Sequence, residues 1–186
     1  MSLKTRWIVF VLFLLSTIHI PLSISSPVEE LRLVTNEQYF QAARDLIKDA
    51  KHSLRVMMFE MTYYKNRASS PTNVLMQELI SARKRGVKVE VILEMKEGED
   101  RTTKNNRQSG KILSDGGVTV IYDSPAQTTH TKVLIADEQL VLLGSTNWTY
   151  SALTNNNEVS ILIRSKEIAK ELTAYFNKVK SPAPKK

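Results

Sequence analysis

The sequence predicts an α/β domain in which a mixed β-sheet is flanked by helices on both faces. Short apolar runs alternate along the chain with segments whose apolar residues recur at helical spacing. One run, Leu54–Met61, reads as apolar on both faces, as expected of a central strand covered by helices on each side. The composition is 42% hydrophobic and 24% charged over 186 residues, which fits one cored domain and excludes a disordered chain.

The elements follow in order. Residues 1–26 precede the domain: Lys4 and Arg6 form a basic start, and the run Trp7–Leu15 is apolar throughout. Pro21 follows, and Ser23 and Ser25 are small residues spaced as at a secretory cleavage site. The segment is read as a signal peptide, so the protein is expected to be exported, to a bacterial periplasm or beyond the cell. If uncleaved, the uncharged run would serve instead as an N-terminal membrane anchor. Residues 27–180 form a single domain. Leu31–Val34 is a strand, and Thr35 and Gln38 make a capping box before a helix carrying Phe40, Ala43, Leu46, Ile47 and Ala50. After Leu54–Met61, Pro71-Thr72 opens a helix with Leu75, Met76, Leu79 and Ile80 inward, which Gly86 ends. Val87–Leu93 is the next strand. Residues 96–110 read as a polar loop, with a short helix from about Arg107 to Ser114. Gly116-Gly117 turns into the strand Val118–Tyr122. Lys132–Ala136 and Leu140–Leu143 pair through the turn Asp137-Glu138-Gln139, Val159–Arg164 is the last strand, and Ser165 starts a helix bearing Ile168, Leu172, Tyr175 and Phe176. Residues 181–186 form a flexible basic tail.

Residue counts narrow the chemistry. With no cysteine, disulfides, thiol nucleophiles, iron–sulfur clusters and thiolate zinc sites are excluded. His19, His52 and His130 are the only imidazoles, so a multi-histidine metal centre is not expected, and no cofactor or metal is assigned. His19 falls in the leader and His52 reads as a surface or capping residue. The formal charge of +7 points to a polyanionic partner, and losing Lys4 and Arg6 would leave the domain basic.

One segment stands apart. His130 and Lys132 are two residues apart, so a strand points both to one face, where an imidazole beside an ammonium suits a phosphate diester. Ser145 and Asn147 repeat that spacing across the hairpin and offer a hydroxyl and an amide to the same oxygens. Gly144 would let the chain pass close to a bound group. Glu158, after three asparagines, supplies a carboxylate able to orient His130 through its second nitrogen.

These residues resemble the signature of the phospholipase D superfamily, H-x-K-x4-D-x6-G-S-x-N, at every position: His130, Lys132, Asp137, Gly144, Ser145 and Asn147, with Glu158 where the family places a carboxylate. The motif occurs once, which is similar to the single-motif branch of bacterial Nuc-type endonucleases and mitochondrial enzymes. The resemblance implies a phospholipase D-like half that dimerises through the motif face, with the active site at the two-fold interface. It implies a metal-independent phosphodiester hydrolase in which His130 of one subunit forms a covalent phosphohistidine. The partner's His130 protonates the leaving alcohol and then activates water. Lys132, Asn147 and Ser145 would bind phosphate, Glu158 would fix the His130 tautomer, and Asp137, although in the signature, is read as hairpin support and charge balance more than as a proton-transfer group.

Several residues keep two readings. Trp148 and Tyr150 either stack on bases or belong to the core or rim. Glu60 either approaches the site or faces water at a strand end. Asn147-Trp148-Thr149 matches a glycosylation sequon, read as coincidental within the motif. The basic groups Arg83, Lys84, Arg85 and Lys88, and Lys96, Arg101, Lys104, Arg107 and Lys111, are either solvated faces or nucleic-acid contacts. The expected function is a sequence-nonspecific endonuclease acting on DNA, and on RNA as a further substrate. The alternatives are a lipid hydrolase of the phospholipase D or cardiolipin type, with membrane phospholipid as substrate, and a non-catalytic nucleic-acid- or membrane-binding protein of the same fold.

Overall fold

The computed structural model describes residues 28–180, so the leader assigned to residues 1–26 and the tail 181–186 lie outside the described residues. Seven strands form one sheet: β1 (Glu30–Thr35), β2 (Ser53–Met58), β3 (Lys88–Leu93), β4 (Thr119–Tyr122), β5 (Lys132–Ala136), β6 (Leu140–Gly144) and β7 (Val159–Arg164), in the order β1-β7-β6-β5-β2-β3-β4. The helices are α1 (Gln38–Asp49), α2 (Pro71–Lys84), α3 (Arg101–Asp115), α4 (Tyr150–Thr154) and α5 (Lys166–Lys180). β2, β3 and β4 are parallel because helical crossovers return the chain to the same sheet edge. Every other pairing is antiparallel, so the sheet is mixed.

Two cores follow from the period-2 alternation of the strands. On one face Leu54, Val56 and Met58 of β2 meet α1 and α2 through Leu46, Ile47, Leu75, Met76 and Leu79. On the other, Met57, Ile92, Val133, Ile135 and Val141 are covered by Ala169 and Phe176 of α5. β2 is not apolar along its whole length: Arg55 is buried and reaches Glu90 of β3 at 3.8 Å and Glu138 at 3.1 Å. Lys88 and Lys180 complete the charge balance around Glu90, whose carboxyl, despite burial, is held below the usual range by the two lysines.

The short helix α4 is not expected from the sequence, and two boundaries differ from the prediction by more than a residue. The polar stretch after β3 is mostly helix, because α3 begins at Arg101, where Asp100 caps it by accepting the Thr103 N–H at 2.7 Å. Its buried stripe is Thr103, Asn106, Ser109, Gly110 and Leu113, so hydrophobic periodicity has almost nothing to report. β2 ends at Met58 and not Met61, because Asn106 takes over the backbone there: its amide donates to the carbonyls of Phe59 and Glu94, and its oxygen accepts the Met61 N–H, each at 2.8 Å. The capping box before α1 is half formed, with the Gln38 side chain accepting the Thr35 N–H at 3.3 Å and no side chain capping the helix itself.

Candidate active site

The site gathers at the carboxyl ends of the parallel strands, where open α/β sheets hold their ligands, beside the start of β5. Lys132 opens β5 opposite Met58, and the Phe59 N–H donates to the Thr131 carbonyl at 3.0 Å, extending the pairing past the strand. This leaves His130 exposed with its ring against the edge of Phe59, centroids 4.5 Å apart. Lys132 is buried; its Nζ lies 4.9 Å from the Phe59 centroid, 2.9 Å from the His130 carbonyl and 3.1 Å from His130 Nε2. An ammonium can only donate, so Nε2 is the acceptor and the neutral ring carries its proton on Nδ1. Desolvation and then the charges of Lys132 and Lys96 hold the imidazole below its ordinary range, and burial lowers Lys132 as well. The pair therefore sets an imidazole lone pair beside a cation.

Across the hairpin Ser145 is exposed, its hydroxyl donating to Glu158 Oε2 in a short hydrogen bond and accepting the Val159 N–H at 3.1 Å. Asn156 donates to the other Glu158 oxygen at 3.0 Å. Glu158 raises Lys132 electrostatically, against the burial that lowers it. Asn147 Oδ1 is buried without a partner, so the fold leaves that amide oxygen unused. Gly144 has a different reason from the one its position implies. A Cβ there would collide with Ser160 Oγ, the Val159 carbonyl and Ser160 Cα, so the glycine is needed for β7 to pack against β6.

Two signature residues are not brought to His130. Asp137 lies at the far end of β5, in a tight turn with Glu138, both at positive φ. Its carboxylate accepts the N–H groups of Lys51, His52 and Ser53 at 2.8, 2.7 and 2.9 Å. Burial opposes the charge, but these three donors outweigh it and hold the carboxyl below its usual range. Glu158 makes no hydrogen bond to His130 within the chain; its two oxygens accept from Ser145 and Asn156. His52 is exposed at the Asp137 end, so no second imidazole among the described residues reaches His130.

The remaining candidates separate clearly. Trp148 is fully buried, its indole donating to Tyr39 at 3.1 Å, and is core rather than a stacking platform. Tyr150 is half-buried beside a surface groove, with the Arg67 guanidinium 5.0 Å from its ring centroid. Thr149 of the sequon caps α4. Glu60 is buried at the end of β2, accepting from Asn105 at 3.0 Å with Arg101 at 3.7 Å, and so neither faces water nor contacts His130. Arg83 and Arg85 bond carbonyls of Gly117, Ile47 and Lys48 at the opposite edge of the sheet. Lys96 and Arg101 follow β3 and lie on the His130 edge, and Lys104 and Arg107 share Glu99. Among the described residues no three His, Asp or Glu side chains are grouped to hold a metal ion, and no helix is long and apolar enough to cross a membrane.

Sequence reasoning missed Glu94 and Asp123. Each is the first residue past its strand, after Leu93 and Tyr122, and both are buried against the Thr129 N–H. An acid ending each of two neighbouring apolar strands was the available signal.

The family model described as "Cardiolipin synthase, PLD-like domain" matches residues 43–180. A polyphosphate kinase of Halalkalibacterium halodurans is 30% identical over 145 residues, 74% of this chain and 20% of that protein. A mitochondrial cardiolipin hydrolase of Canis lupus familiaris is 30% identical over 95 residues, 51% of this chain and 35% of that protein. The chain thus spans only a minor part of either relative. Among solved structures, the phospholipase D family member Nuc from Salmonella typhimurium superposes with a TM-score of 0.68 at 23% identity, covering 81% of this chain and 93% of that one, a likeness of fold.

Proposed function

Because this chain belongs to the phospholipase D superfamily, we propose that it is a phosphodiester hydrolase working through a covalent phosphohistidine on His130, most directly an endonuclease of low sequence preference. The observation that carries this reading is the exposed, neutral His130 ring with Nε2 turned to Lys132. On substrate binding the Lys132 ammonium exchanges its bond to Nε2 for a non-bridging phosphate oxygen, freeing the lone pair as the charge it must neutralise arrives. Nε2 attacks phosphorus, the phosphorus–oxygen bond to the leaving alcohol breaks, and that oxygen takes a proton from a second histidine, which enters as the imidazolium and is left neutral. Water, deprotonated by the same imidazole, then displaces His130 and releases the phosphomonoester.

Among the described residues no second imidazole lies at this edge, since His52 sits at the turn end. The reading therefore uses His130 of a second copy, in a homodimer with facing motifs. Asn147 and Ser145 flank the phosphate, and Glu158, holding Ser145, balances the paired lysines. Asp137 supports the hairpin that carries the site. No metal enters these steps. Residues 1–26 act as the export signal in this reading.

The basic balance of the chain and the position of Lys96 and Arg101 on the site edge support a polyanionic strand as substrate. A lipid substrate is favoured by a different observation: Leu31 and Leu33 of β1 and Val159 of β7 are exposed apolar residues at the sheet edge, just after the N-terminal apolar segment. The deciding experiment incubates the protein, with a chelator present, with plasmid DNA and separately with cardiolipin vesicles. Nicking and linearisation of DNA is expected. Lipid turnover without DNA cleavage would replace the substrate, and loss of all activity under chelation would remove the mechanism.

A further inference from the structure

The segment carrying His130 is pinned by backbone bonds on three consecutive residues. Lys132 takes the His130 carbonyl, and the Phe59 N–H takes the Thr131 carbonyl. The third bond is unusual, because the Thr129 N–H is shared by two carboxyl groups, Glu94 Oε2 at 2.5 Å and Asp123 Oδ2 at 3.2 Å. Both acids are nearly sealed from solvent, at 1% and 5% exposure. Asp123 Oδ1 accepts the Met95 N–H at 2.7 Å, and the Asn106 amide bonds the Glu94 backbone carbonyl, not its carboxyl. Two adjoining carboxylates served by two neutral N–H donors would repel strongly in so dry a place. One proton between them turns repulsion into a hydrogen bond.

We propose that Glu94 and Asp123 form a positioning pair for His130: a proton held between their carboxyls lets both grip the Thr129 N–H, and its loss loosens residues 123–131 and the imidazole they carry. The inference rests on His130 being the nucleophile. The charged groups facing Glu94 are Asp123 from the end of β4 and the exposed Lys96 from its own loop, with His130 one residue beyond Thr129. Burial first, then the Asp123 hydrogen bond, push the Glu94 carboxyl up to about 7, against the opposing pull of the Thr129 N–H and Lys96. The Thr129 bond alone favours the charged carboxyl, but burial and the repulsion of Asp123 outweigh it, so the shared grip is intact below that pH and weakens as pH rises through it. His130 runs the other way, since its ring becomes neutral as pH rises. Nucleophile and seat together define a window of activity.

The test follows the Thr129 amide resonance of the full chain by ¹⁵N NMR from about pH 5.5 to about pH 8.5. The wild-type amide is expected to titrate with a midpoint near 7, and Glu94→Gln, whose amide accepts from Thr129 and donates to Asp123 without ionising, is expected to abolish that titration. In steady-state kinetics Glu94→Ala should lower kcat about tenfold with KM within about twofold, and Glu94→Gln should restore kcat to within about threefold of wild type. A wild-type Thr129 amide that does not titrate, an identical titration in Glu94→Gln, or an unchanged kcat in Glu94→Ala would each overturn the pair. If Glu94→Ala does not fold, the Glu94→Gln resonance decides. Full activity in His130→Ala would overturn the phosphohistidine reading instead, while the Thr129 resonance, which needs no substrate, still judges the grip.

Discussion

The two ends of the β5–β6 hairpin carry residues of one signature yet are opposite in physical character. At the turn, the Asp137 carboxylate is matched by three backbone N–H donors, and tertiary bonds tie the hairpin to the start of β2. At the open end His130 is exposed, its Nε2 is met only by Lys132, and Asn147 Oδ1 has no partner. Burial, then the charges of Lys132 and Lys96, lower His130, and burial lowers Lys132 against the pull of Glu158, whereas three N–H donors hold Asp137 charged. One end is satisfied by the fold, and the other keeps polar groups that the fold does not satisfy. Spacing in a motif therefore does not mean a shared site: β5 separates the two ends by roughly 15 Å at the rise of a strand.

The largest expected effect tests the open end. His130→Ala should lower kcat/KM by about four orders of magnitude or more while leaving Tm within about 2 °C of wild type, as for removal of an exposed nucleophile. A comparable loss of Tm would show that His130 also holds the fold, and the contrast would break. Gly144→Ala sits at the open end, where β6 stops, yet should cost stability, about 3 kcal/mol by urea unfolding, because the new methyl must displace β7 backbone. A near-neutral result would return Gly144 to a role in substrate approach.

Asp137→Ala should behave as the mirror of His130→Ala. Losing three charge-assisted bonds should cost about 2 kcal/mol, while kcat of the folded enzyme stays within about threefold. Lost kcat at unchanged stability would place Asp137 in the chemistry after all. The smallest effect is the pH dependence of that loss. The folded Asp137 carboxyl lies below its unfolded value, so its stabilisation is complete above the unfolded pKa of about 3.9 and disappears as pH falls through the folded one. The stability gap between wild type and Asp137→Ala should therefore close in acid, and a gap unchanged there would mean the bonds to Lys51, His52 and Ser53 do not depend on charge.

The strand and helix order was legible wherever a buried face was apolar, as in α2 and β3, and so were the residues of the open end, because strand alternation alone puts His130 and Lys132 side by side. α3 was partly hidden, because it buries threonine, asparagine, serine and glycine. Glu94 and Asp123 escaped notice because they hold a backbone N–H, which leaves no trace in residue type at position 129. Spacing placed Glu158 near the motif but could not convey its partners within the chain, which are Ser145 and Asn156. Gly144 was read as room for a ligand when the missing side chain makes room for β7. What pattern conveys is which side chains share a face, and what it omits is which of them the backbone has already claimed.

The proposed hydrolysis turns on a covalent bond between His130 Nε2 and phosphorus. The direct measurement mixes the protein with a short oligonucleotide in the presence of a chelator, quenches in alkali within the first turnover, and maps the adduct by peptide mass spectrometry. The expected product is a base-stable, acid-labile adduct on the peptide containing His130, absent from His130→Ala. No adduct in a reacting sample, or an acid-stable one on Ser145, would contradict it.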